Sequence, residues 1–200
     1  RTDPCDPIGW ADLADQAALA SGVDVASYTR KLYVLPSTPA CAQVGLGQVG
    51  GSPSRAWTFR CDQASSYAHQ LGHNLGLGHA ASPTSEYGDP TDVMGDFGGG
   101  LRRFNAVHQE QLGWLPPEQV EAVTQGGDYR LAPLGLNPTE ATAPQALRIG
   151  KPGTQEFYQV SFRSPLGFDA KLDEAHLGQL TLHRYSGLGQ DRRSIWVRTL

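Results

Sequence analysis

The stretch His69-Gln70-Leu71-Gly72-His73-Asn74-Leu75-Gly76-Leu77-Gly78-His79 constrains this chain more than any other part of it. Histidines four apart on a helix share one face, one turn above the other. Both imidazoles can then reach one ion at about 2.0–2.1 Å. A third ligand on the same face would collide with them, so the chain has to turn. Gly76 permits a sharp left-handed turn, and His79 can return to complete a three-histidine set. Three protein ligands with one open position describe a catalytic zinc site rather than a structural one. Water in such a position has its pKa lowered towards about 7, and a substrate carbonyl is polarised there. The chain has 6 histidines in all, and three of them fall in this stretch beside a turn glycine.

The surroundings give that stretch a setting. Residues 62–75 read as its helix, with Asp62 or Ser65 available as N-cap. Upstream, residues 9–21 have helical spacing and stop at Gly22. Residues 30–35 read as a strand ended by Pro36, and residues 56–59 as another. Residues 44–49 form a short strand broken by Gly45 and Gly47, the kind found where another backbone comes close. Residues 80–100 are a long loop, dense in Gly, Pro, Ser and Asp; loops of that length in compact domains are usually functional or disordered. Asn105 caps a second helix over residues 105–112, with Gly113 after it. Beyond it, residues 119–124 and 129–134 flank Gln125-Gly126-Gly127-Asp128, a hairpin signal. Strands over 157–162, 179–185 and 194–199 follow. The expected fold is therefore α+β: a catalytic domain over residues 1–115, with a mixed sheet and the zinc helix, then a β-rich, sandwich-like region over 116–200. The chain starts at Arg1 and ends on strand-like residues, so a mature or truncated piece of a longer protein is expected.

Composition narrows the partners. Net charge is −4 with no run of like charges, which leaves no electrostatic footprint for nucleic acid. No apolar stretch approaches the roughly 20 residues of a membrane span. A monomer is expected. Of the 3 cysteines, none forms a C-x-x-C pair. Cys41 and Cys61 flank a Gly-rich segment, and a bridge there would add roughly 3 kcal/mol by chain entropy; three free buried thiols are the alternative. Asp89, Asp92 and Asp96 in the long loop offer oxygen ligands for calcium, although solvated loop carboxylates are the simpler expectation. Asp92 could also orient the site from behind its ligands. His108, His176 and His183 read as surface or hydrogen-bonded core residues.

The zinc stretch, the segment Tyr87-Gly88-Asp89-Pro90-Thr91-Asp92-Val93-Met94-Gly95, and the segment from Phe104-Asn105-Ala106 to Gln111-Leu112-Gly113-Trp114-Leu115 together resemble the gametolysin peptidases, a branch of the metzincins. The resemblance is strong over about residues 41–115 and loose elsewhere. It implies a secreted zinc endopeptidase that cuts extracellular or cell-wall polypeptides. It also implies that Met94, the single methionine, lies on a tight turn beneath the three histidines. The strand at Val44, Gly45, Leu46 and Gly47 matches the edge strand along the metzincin cleft, where a peptide adds by main-chain hydrogen bonds. An ordinary edge strand is the competing expectation. Some metzincins place a tyrosine two residues after the methionine; Asp96 stands there in this chain, and Tyr87 is the substitute to consider.

One residue departs from the pattern. The family carries glutamate after its first histidine, and this chain has Gln70. The glutamate holds the attacking water, takes its proton and passes it to the leaving amine. Glutamine can hydrogen-bond the water but cannot take the proton. Metal binding should survive while turnover falls by about 10²–10⁴. Three readings follow: an engineered or recent Glu→Gln change in an otherwise complete site, a natural zinc-containing pseudopeptidase that binds polypeptide or glycan, or an enzyme with another base.

Overall fold

The computed structural model describes residues 5–185 and 193–200. The chain has a mixed α+β architecture and divides into two compact units, Arg1–Gly76 and Leu77–Leu200.

The first unit begins with helix α1 (Pro7–Ala20). Its start is two residues earlier than helical spacing suggests, because Asp6 and Pro7 form a good N-terminus: the Asp6 carboxylate accepts from Gly9 N at 2.9 Å, and proline fits the first helical position. Gly22, at φ 87°, ends it as expected. Three strands follow: β1 (Arg30–Val34), β2 (Gly45–Gly47) and β3 (Ser54–Thr58). Their order is β1-β3-β2, with β1 parallel and β2 antiparallel to β3, so β2 lies at an edge. Trp57 and Tyr33 stack at 5.8 Å and pack with Ala11 into a small core. Trp57 Nε1 donates to Pro7 O at 2.8 Å, tying the start of α1 to the sheet. Asp15 accepts from Lys31 Nζ (2.6 Å), Tyr33 Oη (2.8 Å) and an Arg55 guanidinium nitrogen (2.9 Å). Burial and the hydrogen bond to Asp15 push the Tyr33 hydroxyl up to about 12.

That anchoring decides the disulfide. Cys41 pairs with Cys5, at a Cα–Cα distance of 5.1 Å, and not with Cys61, which is a free, exposed thiol. Pro7 held against β3 keeps Cys5 within reach of Cys41, a proximity that no spacing of cysteines along the chain displays.

Helix α2 (Ala64–Asn74) completes the unit. Its N-cap is Gln63, which makes no side-chain capping bond, rather than Asp62 or Ser65. Ser65 is already inside the helix, and Ser66 Oγ bonds Thr58 Oγ1 at 2.9 Å. At the other end Asn74 Nδ2 donates to Gln48 O (3.0 Å) and Arg55 O (2.8 Å), and Gly50 N donates to His73 O (2.7 Å). These bonds hold the C-terminal turn of α2 against the β2–β3 connection.

The second unit is built on one six-stranded sheet of order β4-β9-β8-β7-β6-β5. Its strands are β4 (Ala80–Ala81), β5 (Val120–Val123), β6 (Ala146–Gly150), β7 (Phe157–Phe162), β8 (Leu180–Tyr185) and β9 (Ser194–Thr199). Among the described residues this is a single sheet and not a sandwich of two. The expected hairpin at Gln125–Asp128 is absent: β5 pairs in parallel with β6, and residues 129–134 form no strand. Pro133 cannot donate to a ladder, and the segment is held singly by bonds such as Leu134 N to Phe162 O at 3.0 Å. Helix α3 (Ala106–Gln111) is capped as expected, with Asn105 Oδ1 accepting from His108 N at 3.0 Å. Ala106 and Leu115 share a core with Leu134 and Ala146. Ala106 and Leu115 therefore pack with the β-rich part, within the compact unit that begins at Leu77. Among the described residues no helix is long and apolar enough to cross a membrane.

Candidate metal centre

Helix α2 delivers the first two histidines as the four-residue spacing requires. His69 and His73 are buried, and their rings meet edge to face at 4.8 Å. Gly76 has φ 97°, the left-handed conformation that glycine adopts without strain. The chain turns there, and His79 follows three residues later, just before β4. Along this continuous segment one ligating atom from each of His69, His73 and His79 lies within 4.8 Å of the others. Three imidazoles are a donor set suited to zinc. Donors at 2.0–2.1 Å on a tetrahedral ion stand about 3.4 Å apart, so the cluster needs only a short inward movement to fit.

His79 has its own support within the second unit. Its Nδ1 lies 2.7 Å from Glu86 Oε1, and the Tyr87 ring packs against it at 4.2 Å between centroids. Burial and the adjacent Glu86 charge raise the Tyr87 phenol above its ordinary value, so it remains a neutral donor at physiological pH. Tyr87 therefore does neighbour a predicted ligand. Along the chain Glu86 is marked only as an acidic residue seven positions after His79, in a loop dense in turn formers.

Gln70 is buried on the same helix and lies against the edge strand. A Cβ placed on Gly45 would stand 2.8 Å from Gln70 Nε2 and 2.7 Å from Trp57 O. One placed on Gly47 would stand 2.8 Å from His73 Cβ and 2.9 Å from Gln70 O. The glycines of β2 are the consequence of this approach: only a strand without side chains there can lie so close to α2. Leu46, between them, is 38% exposed.

Met94 is fully buried. Its turn is tight: Met94 N donates to Asp92 Oδ1 at 2.6 Å, Gly95 N to Asp92 O at 2.9 Å, and Ala80 N to Met94 O at 3.0 Å. A Cβ on Gly95 would fall 2.2 Å from Asp89 O, so glycine is required after the methionine.

The loop acids correct an expectation. Asp89 and Asp92 are fully buried rather than solvated. Asp89 accepts from Thr91 N (2.8 Å), Thr91 Oγ1 (2.7 Å), Asn105 Nδ2 (3.1 Å) and His183 Nε2 (2.8 Å). Burial alone would raise its carboxyl, but the charge and hydrogen bond of His183, with those of Thr91, hold it well below the usual carboxylate range. Asp92 accepts from Met94 N, Asn105 N (2.6 Å) and His108 Nδ1 (2.9 Å). It shapes the methionine turn and the start of α3, and these contacts involve none of the clustered histidines. Both carboxylates are spent on protein donors, which leaves little for calcium. Asp96 remains exposed. His108 and His183 are hydrogen-bonded core residues, and His176 bonds Thr199 Oγ1 at 3.0 Å.

Compared with known proteins, the chain matches the family model described as Gametolysin peptidase M11 over residues 2–191. It is also similar to "Autolysin" of Chlamydomonas reinhardtii, 36% identical over 96 residues. That match covers 44% of this chain and 15% of the relative, so the chain corresponds to a small part of that protein. No solved structure matches it.

Proposed function

The chain belongs to the gametolysin peptidase family, and on that premise we propose that it is a secreted zinc-dependent endopeptidase domain for extracellular or cell-wall polypeptides, silenced at its general base. The observation that carries the reading is the cluster of His69, His73 and His79 with Gln70 between the first two on the same helix. When bound, zinc would supply Lewis-acid polarisation of the scissile carbonyl and a lowered pKa for the attacking water.

The chain's own residues do the rest. Met94, buried on its tight turn, takes the Met-turn role that the family resemblance implies. Strand β2, with Val44 just before it, aligns an extended peptide, main chain to main chain, along Val44, Gly45, Leu46 and Gly47. Its glycines bring the backbone next to residue 70, so a peptide added there runs past that side chain. Gln70 can orient water by hydrogen bonding, but its amide cannot take the proton that attack releases.

The test is Gln70→Glu. The variant should cleave a peptide library at least about 10²-fold faster than the Gln70 protein, the usual share of a general base, and a chelator should abolish the gain. A Gln70→Glu protein that binds zinc and cuts nothing would sink the peptidase reading. The second reading, a zinc-containing pseudopeptidase that binds polypeptide or glycan, draws on Gln70 alone and predicts stable complexes without cleavage.

A further inference from the structure

We infer that Glu86 is a positioning residue for the metal site, holding His79 in the tautomer and ring orientation that ligation needs; this rests on the zinc reading above. His69 and His73 are aimed by the helix that carries them. His79 has no such frame, since it stands on irregular chain between α2 and β4. Its orientation has to come from side-chain partners, and Glu86 is a polar one, at 2.7 Å from Nδ1. An ionised carboxylate only accepts hydrogen bonds. Nδ1 therefore carries the proton in that bond, the tautomer in which Nε2 is the nitrogen with a lone pair for a metal. Carboxylate–histidine pairs of this kind fix the tautomer and raise the basicity of the ligand.

The fold delivers Glu86 to that place. Ser82 N donates to Ser85 O at 2.7 Å, and Ser82 Oγ accepts from Ser85 N at 3.1 Å. Asp89 N donates to Ala80 O at 3.1 Å, closing residues 80–89 on themselves. A Cβ on Gly88 would stand 2.1 Å from Ser82 Oγ, so only glycine lets the loop close this tightly. The buried Asp89 pins the loop's far end. The result returns Glu86 and Tyr87 to the histidine that precedes the loop.

The competing account is an exposed surface contact of little consequence, since the Glu86 side chain is 59% exposed. The two accounts differ in metal affinity. Zinc is titrated against a chromophoric chelator, and the cobalt spectrum recorded, for the native chain, Glu86→Ala, Glu86→Gln and the exposed-loop control Glu140→Ala. Glu86→Ala should weaken zinc binding about 10–100-fold, the usual effect of losing such a partner, and alter the cobalt bands. Glu86→Gln should retain part of the affinity, because its amide oxygen can still accept from Nδ1. Glu140→Ala should bind as the native chain does, and metal-free melting temperatures should agree across the set. Native affinity and an unchanged cobalt spectrum in Glu86→Ala would overturn the inference. So would equal losses in both Glu86 variants with a lowered metal-free melting temperature, which would mean that the loop had simply misfolded. If the native chain itself takes up neither metal, the zinc reading fails first and the inference with it.

Discussion

Replacing Gly47 by alanine tests the contact between the edge strand and the helix that bears His69 and His73. The new Cβ would stand 2.8 Å from His73 Cβ and 2.9 Å from Gln70 O. Carbon contacts settle at about 3.5–4.0 Å, so the methyl must gain at least about 0.7 Å from His73 alone. Neither neighbour can swing aside. One is the root of a candidate ligand, and the other is helix backbone, so strand or helix must shift as a body. Overpacking of this kind costs about 1–3 kcal/mol. For a domain the size of the first unit, each kcal/mol lowers the melting temperature by about 4–8 °C. Gly47→Ala should therefore melt about 10 °C lower and bind zinc more weakly, because His73 moves with the helix. The control is Gly126→Ala, where no atom lies within 4 Å of the added Cβ. That change should be neutral or slightly stabilising through the unfolded chain. Thermal melts followed by circular dichroism, with zinc titrations beside them, decide the matter. Equal melting of Gly47→Ala and its parent would mean that β2 does not lie on α2 as described.

Asn105→Ala removes the α3 cap and strips a donor from the fully buried Asp89, so it should cost about 2–4 kcal/mol, read from urea midpoints; a loss under about 0.5 kcal/mol would show the network to be idle. Asp89 also predicts an acid limb. Its folded carboxyl lies below the unfolded value of about 3.9, so its contribution is complete above that pH and is lost as pH falls towards the folded value. Urea midpoints between about pH 6 and pH 2.5 should fall most steeply below about pH 4, and Asp89→Asn should flatten that limb.

Some of this protein was legible residue by residue. The candidate ligand set follows from local geometry, since a four-residue spacing on a helix and a glycine at φ 97° act within one short segment. The Asn105 cap, the glycine stops and the strands over 157–162, 180–185 and 194–199 are equally local and appear within a residue of where side-chain pattern places them. The glycines of β2 marked a close approach in advance, although not to which partner.

The remainder depended on which distant segments meet. Gln125–Asp128 has the chemistry of a hairpin turn, yet β5 found its partner in β6, more than twenty residues on, because a ladder rewards whichever strand can stay in register and Pro133 cannot. Cys41 reads locally as the partner of Cys61, but Trp57 holds the start of α1 against β3 and brings Cys5 within reach instead. Asp89 and Asp92 read as solvated loop acids because nothing local distinguishes them. Only the arrival of Asn105, His108 and His183 turned them into buried anchors. The same long-range closure made Glu86 the neighbour of His79. Sequence alone could name the atoms able to hold a metal, since those lie on one short segment. Which residues aim and support them was decided by burial and pairing across the whole unit, where the energies are collective and carry no local signature.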